Sequence, residues 1–101
     1  MWLFAMFDLP VDKPELRREY AKFRKRLLKQ GFTMLQYSVY AHYVPSDEAD
    51  EAYRKKVSEG LPSHGQVRLL SVTDRQFEKM EVYVGKKRKP VEEPPLQLML
   101  F

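Results

Sequence analysis

The first seven residues, Met1-Trp2-Leu3-Phe4-Ala5-Met6-Phe7, carry no charge, and the run ends at Asp8, followed by Leu9-Pro10. An apolar segment that does not alternate with polar residues predicts a strand over residues 2–8 with both faces covered. Helices can cover one face, and the other needs a further layer. No basic segment precedes the run, so it reads as a strand and not as a secretory signal. No apolar stretch approaches the roughly 20 residues required to span a bilayer, so no membrane partner is expected. With 101 residues the chain has surface for one core, and an elaborate site would have to be shared with a partner.

Beyond the first strand, Asp12-Lys13-Pro14-Glu15 reads as a helix start, with Asp12 as the cap and Pro14 in the first turn. Leu16, Tyr20, Phe23 and Leu27 then follow at helical spacing as one apolar stripe, closed by Gly31. Residues 32–43 are rich in aromatic and β-branched types and predict a second strand, long enough to require a bend or bulge near Gln36. Pro45-Ser46-Asp47-Glu48 opens a second helix that turns Ala49, Ala52, Tyr53 and Val57 inward and stops at Gly60-Leu61-Pro62. Residues 66–73 and 79–84 predict two more strands joined by a turn around Asp74-Arg75.

These elements point to an α+β, ferredoxin-like sandwich of βαββαβ type, four antiparallel strands with both helices on one face. The bare face would then be buried against a second copy, making a homodimer. Residues 1–85 form the expected domain and 86–95 a basic, proline-marked linker. Residues 96–101, Leu-Gln-Leu-Met-Leu-Phe, are too apolar for water and predict a fifth strand docked on a sheet edge, on the chain's own sheet or the partner's.

Charge is moderately basic, 18 Lys and Arg against 14 Asp and Glu, and it is clustered. The first helix carries Arg17, Arg18, Lys22, Arg24, Lys25, Arg26 and Lys29 against Glu15 and Glu19, more cations than solubility requires, which suits phosphate binding. Lys86, Lys87, Arg88 and Lys89 form a second block, equally readable as a charged linker. Both would grip backbones without reading bases. The chain has no cysteine, which excludes disulfides, thiolate metal sites and cysteine nucleophiles and fits a cytoplasmic setting. There is no serine-triad signature, phosphate-cradling glycine loop or zinc spacing, and neither His42 nor His64 sits in a ligand pattern.

Asp8 has two readings. It can cap the turn at Leu9-Pro10. Alternatively, two copies near a dimer axis can hold a hard divalent cation such as Mg²⁺ for phosphodiester chemistry. Gln36, Ser38, Tyr40 and His42 share parity within the predicted second strand, and this polar row is placed on the face away from the helices. Ser38 and Tyr40 would there line either an interface or a site with Asp8.

Phe7-Asp8-Leu9-Pro10, Arg17-Arg18, Leu27 to Gly31 and Gln36-Tyr37-Ser38-Val39-Tyr40 resemble, in this order and length, the small CRISPR adaptation family "Cas two". Thr73 to Phe77, Lys79 to Val82, Gly85-Lys86-Lys87 and the tail from Pro94 to Phe101 look like its type II branch. The resemblance implies a ferredoxin-like homodimer in which Asp8 of both copies binds one Mg²⁺, with Mn²⁺ as a substitute. It further implies metal-dependent endonuclease action on single-stranded RNA or double-stranded DNA, and a complex with the CRISPR integrase. A non-catalytic DNA scaffold bridging integrase dimers is the alternative, since in that role the family does not need the strand-end Asp. Tyr40 stands where many members have Phe, and Phe7 where many have Tyr. An RNA-recognition motif shares the element order, but residues 66–73 lack its basic-glycine-aromatic pattern.

Overall fold

The uncharged first segment is strand β1 (Trp2–Asp8), and it lies inside an antiparallel sheet, bonded on both edges. The computed structural model describes residues 1–95; the expected strand over 96–101 lies outside them. After β1 come helix α1 (Pro14–Lys29), strands β2 (Thr33–Gln36) and β3 (Val39–Tyr43), helix α2 (Asp47–Ser58) and strand β4 (Gln66–Val72). The sheet order is β2-β3-β1-β4, which makes the fold α+β and ferredoxin-like. A short helix α3 (Asp74–Glu78) and a two-stranded hairpin, β5 (Val82–Val84) with β6 (Lys87–Lys89), lie outside that sheet. No helix among the described residues is long and apolar enough to cross a membrane.

Alternation along β1 sorts the molecule into two sides. Leu3, Ala5 and Phe7 point toward the helices and join Phe23 and Leu27 of α1, Val57 of α2 and Tyr40 of β3 in the main core. Each fully buried Leu or Phe there contributes about 1.5–3 kcal/mol relative to exposure. Trp2, Phe4, Met6 and Asp8 point to the opposite side. At its Trp2 end that side carries a second cluster, in which Phe77 of α3 stacks on Trp2 at 4.2 Å, with Phe4, Leu35, Ala41, Tyr43, Val72, Met80 and Val91 around them.

Helix α1 ends as its sequence predicts. Gly31 adopts φ +97°, and the bonds Phe32 N–H to Leu27 O (3.0 Å) and Gly31 N–H to Leu28 O (3.1 Å) close a Schellman motif, with Phe32 and Leu27 both in the core. Its start differs: Lys13 is the N-cap and makes no side-chain bond, so Asp12 does not cap. In α2 the Ser46 hydroxyl accepts from Ala49 N–H at 3.1 Å, as a cap should. Ala52, expected inside, is exposed. Asp50 takes an inward place instead, where it accepts from Arg54 (3.0 Å) and from Ser71 Oγ (2.7 Å).

Three further expectations are corrected. Residues 32–43 are a hairpin and not one bent strand: β2 and β3 are joined by Tyr37-Ser38, with Ser38 at φ +62°. That turn divides the segment into two strands of the main sheet, so the fourth strand comes from here and not from residues 79–84, and it resets parity. Residues 79–84 do not enter the main sheet; β5 pairs with β6, so the basic block at 87–89 is itself a strand. The link at 74–78 is α3, held by a capping box in which Thr73 and Gln76 satisfy each other's backbone N–H groups at 3.1 and 2.9 Å.

Candidate functional site

Asp8 is the last residue of β1 and the only exposed one in that strand, on the side away from the helices. Residue 8 lies opposite Gln66 in the β1–β4 register, and Arg68 lies opposite Met6. An open cavity of about 290 Å³ forms there, lined by Asp8, Met6, Tyr37, Ser38, Gln66 and Arg68 among others. The hairpin turn is fastened to it: Phe7 N–H donates to Ser38 O at 3.1 Å, and the Ser38 and Tyr20 hydroxyls meet at 3.2 Å.

Against the backbone of Asp8 and Leu9, the chain enters β4 through Gly65, at φ +85°. A Cβ at Gly65 would fall 2.4 Å from the Asp8 carbonyl oxygen and 2.8 Å from Leu9 Cδ2, so only glycine lets the loop pass this close to Asp8. Tyr37 ionises above its ordinary value, chiefly through the polar interaction of its side chain with the neighbouring Tyr20, with electrostatic repulsion between the pair as a further cause.

Ser38 therefore joins Asp8 in the cavity. Tyr40 does not, because the turn at 37–38 reverses the chain and places Tyr40 on the helix side, fully buried and stacked on Phe7 at 5.6 Å. Its hydroxyl has no partner among the described residues. His42 goes with it to the helix side, against Phe32 and Tyr53. Gln66, Arg68 and Tyr37 are cavity residues that sequence reasoning missed; only strand register could have shown the first two.

The cations divide. Arg17, Arg18, Lys22, Lys25 and Lys29 are exposed, Arg24 is half-buried, and none of them makes an ion pair among the described residues. Arg17 is tied to the loop after β1 by a 3.1 Å bond to Val11 O. Arg26 is structural: it donates to Lys56 O at 2.9 Å and lies across Gly60, where a Cβ would come within 2.0 Å of its Nε. Lys86 sits in the β5–β6 turn with Lys87 and Arg88 beside it, all exposed, Arg88 reaching Glu81 at 4.0 Å. Met80 and Val91, which flank that hairpin, pack on the Trp2 cluster, so this second block rises from the end of the sheet remote from Asp8.

For a metal, the described residues bring no three His, Cys, Asp or Glu side chains together. Asp8 offers one carboxylate per chain, which suits Mg²⁺, a cation that takes one or two carboxylates and keeps its waters, and does not suit a closed protein cage.

A ferredoxin-like sheet with a lone carboxylate at a strand end, an open cavity beside it and a cation-rich helix defines a small α+β protein. The chain matches the family described as CRISPR associated protein Cas2 over residues 1–80. It is similar to the CRISPR-associated endoribonuclease Cas2 of Parvibaculum lavamentivorans, 52% identical over the full length of both chains. The protein of the same name from Flavobacterium psychrophilum is 39% identical over all of this chain and 88% of its own, and that from Ligilactobacillus salivarius 44% identical over 90% of each. The chain belongs to the Cas2 family.

Proposed function

We propose that this chain is half of a metal-dependent endonuclease of CRISPR adaptation that hydrolyses phosphodiester bonds of RNA or DNA, with Asp8 as the catalytic and metal-holding residue. The observation that carries it is an exposed strand-end carboxylate sharing an open cavity with Arg68, which makes no ion pair among the described residues. The relatives' name, endoribonuclease, favours the same chemistry.

A second copy covering the open half of the sheet would bury Met6, Val39 and Leu70 and bring a second Asp8 toward the first. Bound between them, Mg²⁺ or Mn²⁺ would supply charge neutralisation at a phosphate oxygen and a more acidic water. Arg68 holds a non-bridging phosphate oxygen, and Gln66 orients the sugar-phosphate beside it. Arg17, Arg18, Lys22, Arg24 and Lys25 hold flanking phosphates.

Asp8→Asn tests this. Cleavage of labelled single-stranded RNA in Mg²⁺ should fall by about 100-fold or more, with the unfolding midpoint unchanged, since Asp8 is exposed. Equal cleavage by the variant would assign the activity elsewhere.

The scaffold reading is favoured by one observation: the β5–β6 hairpin, which carries Lys87, Arg88 and Lys89, rises from the Trp2 end of the sheet, so cationic surface extends well beyond the cavity. In that reading the chain bridges dimers of the CRISPR integrase along DNA. Integrase pull-down should then survive Asp8→Asn and fail on deletion of residues 96–101.

A further inference from the structure

The cavity beside Asp8 holds one feature that phosphate chemistry does not use. Tyr37 is 72% exposed, the most exposed large apolar side chain among the described residues, in a chain whose other rings are mostly packed. An exposed aromatic ring on a hairpin tip is ordinarily mobile. This one is backed by Tyr20, with ring centroids 5.8 Å apart and planes 19° from parallel.

Tyr20 is itself anchored on α1 and joined to the turn through the Ser38 hydroxyl at 3.2 Å. Ser38 is held in turn by the backbone bond to Phe7. The outer face of a two-ring stack is thereby presented at the mouth of the cavity that Asp8 lines. On the helix surface Arg17 and Arg24 stand three residues before and four after Tyr20, so cations border the stack.

A fixed, uncharged aromatic face between cations and a phosphate-binding cavity matches the elements of single-strand recognition: a base stacks on the ring while its backbone tracks the positive charge. A paired base within a duplex has both faces occupied and cannot use such a ring.

We propose that Tyr37, backed by Tyr20, is a stacking platform for an unpaired nucleobase of the strand whose phosphate enters the Asp8 cavity, and that it gives the site its preference for single strands. The position of the base relative to the phosphate rests on the endonuclease reading above. The platform itself rests on the ring geometry and can be tested without cleavage.

The test uses full-length protein carrying Asp8→Asn, so that substrate stays intact, and fluorescence anisotropy with labelled single-stranded RNA, single-stranded DNA and the matching duplexes. Tyr37→Leu should weaken single-strand binding about 5- to 100-fold, while Tyr37→Phe retains it and duplex binding is unchanged. Oligonucleotides with successive abasic positions should show the same loss at one position with Tyr37 present, and no added loss in Tyr37→Leu.

Equal weakening for single strand and duplex, no sensitivity to any abasic position, or a changed oligomeric state of Tyr37→Leu in sedimentation would each overturn the proposal, the last by making Tyr37 an interface residue. The two readings fail separately. A protein that never cleaves but shows the abasic signature keeps the platform and loses the nuclease; one whose cleavage depends on Asp8 but ignores Tyr37→Leu does the reverse.

Discussion

On the side of the sheet away from the helices, the two ends of β1 have opposite fates. Trp2 is buried under Phe77, Phe4 and Met6 are half-buried, and Asp8 is exposed, although all four share one face of one strand. The difference originates in the chain beyond β4. Helix α3 and the segment at Val91 fold back over the Trp2 end only, and neither reaches Asp8. Closing one end with the chain's own residues and leaving the other uncovered gives this face a closed pole at Trp2 and an open pole at Asp8.

The contrast can be broken first at the closed pole. Phe77→Ala removes the ring stacked on Trp2 and should cost about 3–4 kcal/mol, read from urea unfolding monitored by the fluorescence of Trp2, the single tryptophan. Leu70→Ser, at a residue 50% exposed toward the open pole, should stay within about 0.5 kcal/mol under conditions where the protein is monomeric. Comparable losses at the two positions would erase the distinction.

Gly65→Ala probes the backbone contact that holds Asp8 at the open pole. Its methyl group meets the Asp8 carbonyl and the backbone sits at positive φ, so a loss of about 1–3 kcal/mol is expected, together with reduced cleavage because the strand end must move. A variant that loses stability and keeps full cleavage would show that Asp8 tolerates displacement.

The smallest effect concerns the Tyr20–Tyr37 stack. The folded protein holds the Tyr37 phenol above its ordinary value near 10.0, mainly through Tyr20. The preference for the neutral phenol is therefore fully present below the unfolded value and lost as pH rises through the higher folded one. Absorbance titration at alkaline pH should show Tyr20→Phe bringing the Tyr37 transition back toward 10.0. An unmoved transition would mean that Tyr20 does not set the Tyr37 ionisation.

Much of this architecture is legible in the residues. The uncharged run to Asp8 marks the inner strand, the stripe Leu16-Tyr20-Phe23-Leu27 marks α1 with its Gly31 stop, and Ser46 marks the start of α2. The hairpin within 32–43 is not legible because its turn is Tyr37-Ser38, without the Gly or Asn that ordinarily supplies positive φ. Missing that turn inverts the parity of everything after it, which is why Tyr40, expected at the site, lies instead in the core. The short helix α3 does carry a signal, the Thr73 and Gln76 pair of a capping box, but five residues are too few for a periodic pattern. Arg68 and Gln66 become visible only through register, since nothing in the local sequence of β4 says which residue faces Asp8.

Strand β4 has a consequence of its own. It is the outer strand of the sheet on that side, so the backbone amides on its free edge lack a neighbour among the described residues, and the same strand carries Gln66 and Arg68 into the cavity. Any polypeptide that zips onto this edge would damp the motions of the strand that presents those two side chains. If the cavity works as proposed, edge pairing and chemistry would act through one strand, and hydrogen–deuterium exchange along residues 66–72 would report both at once.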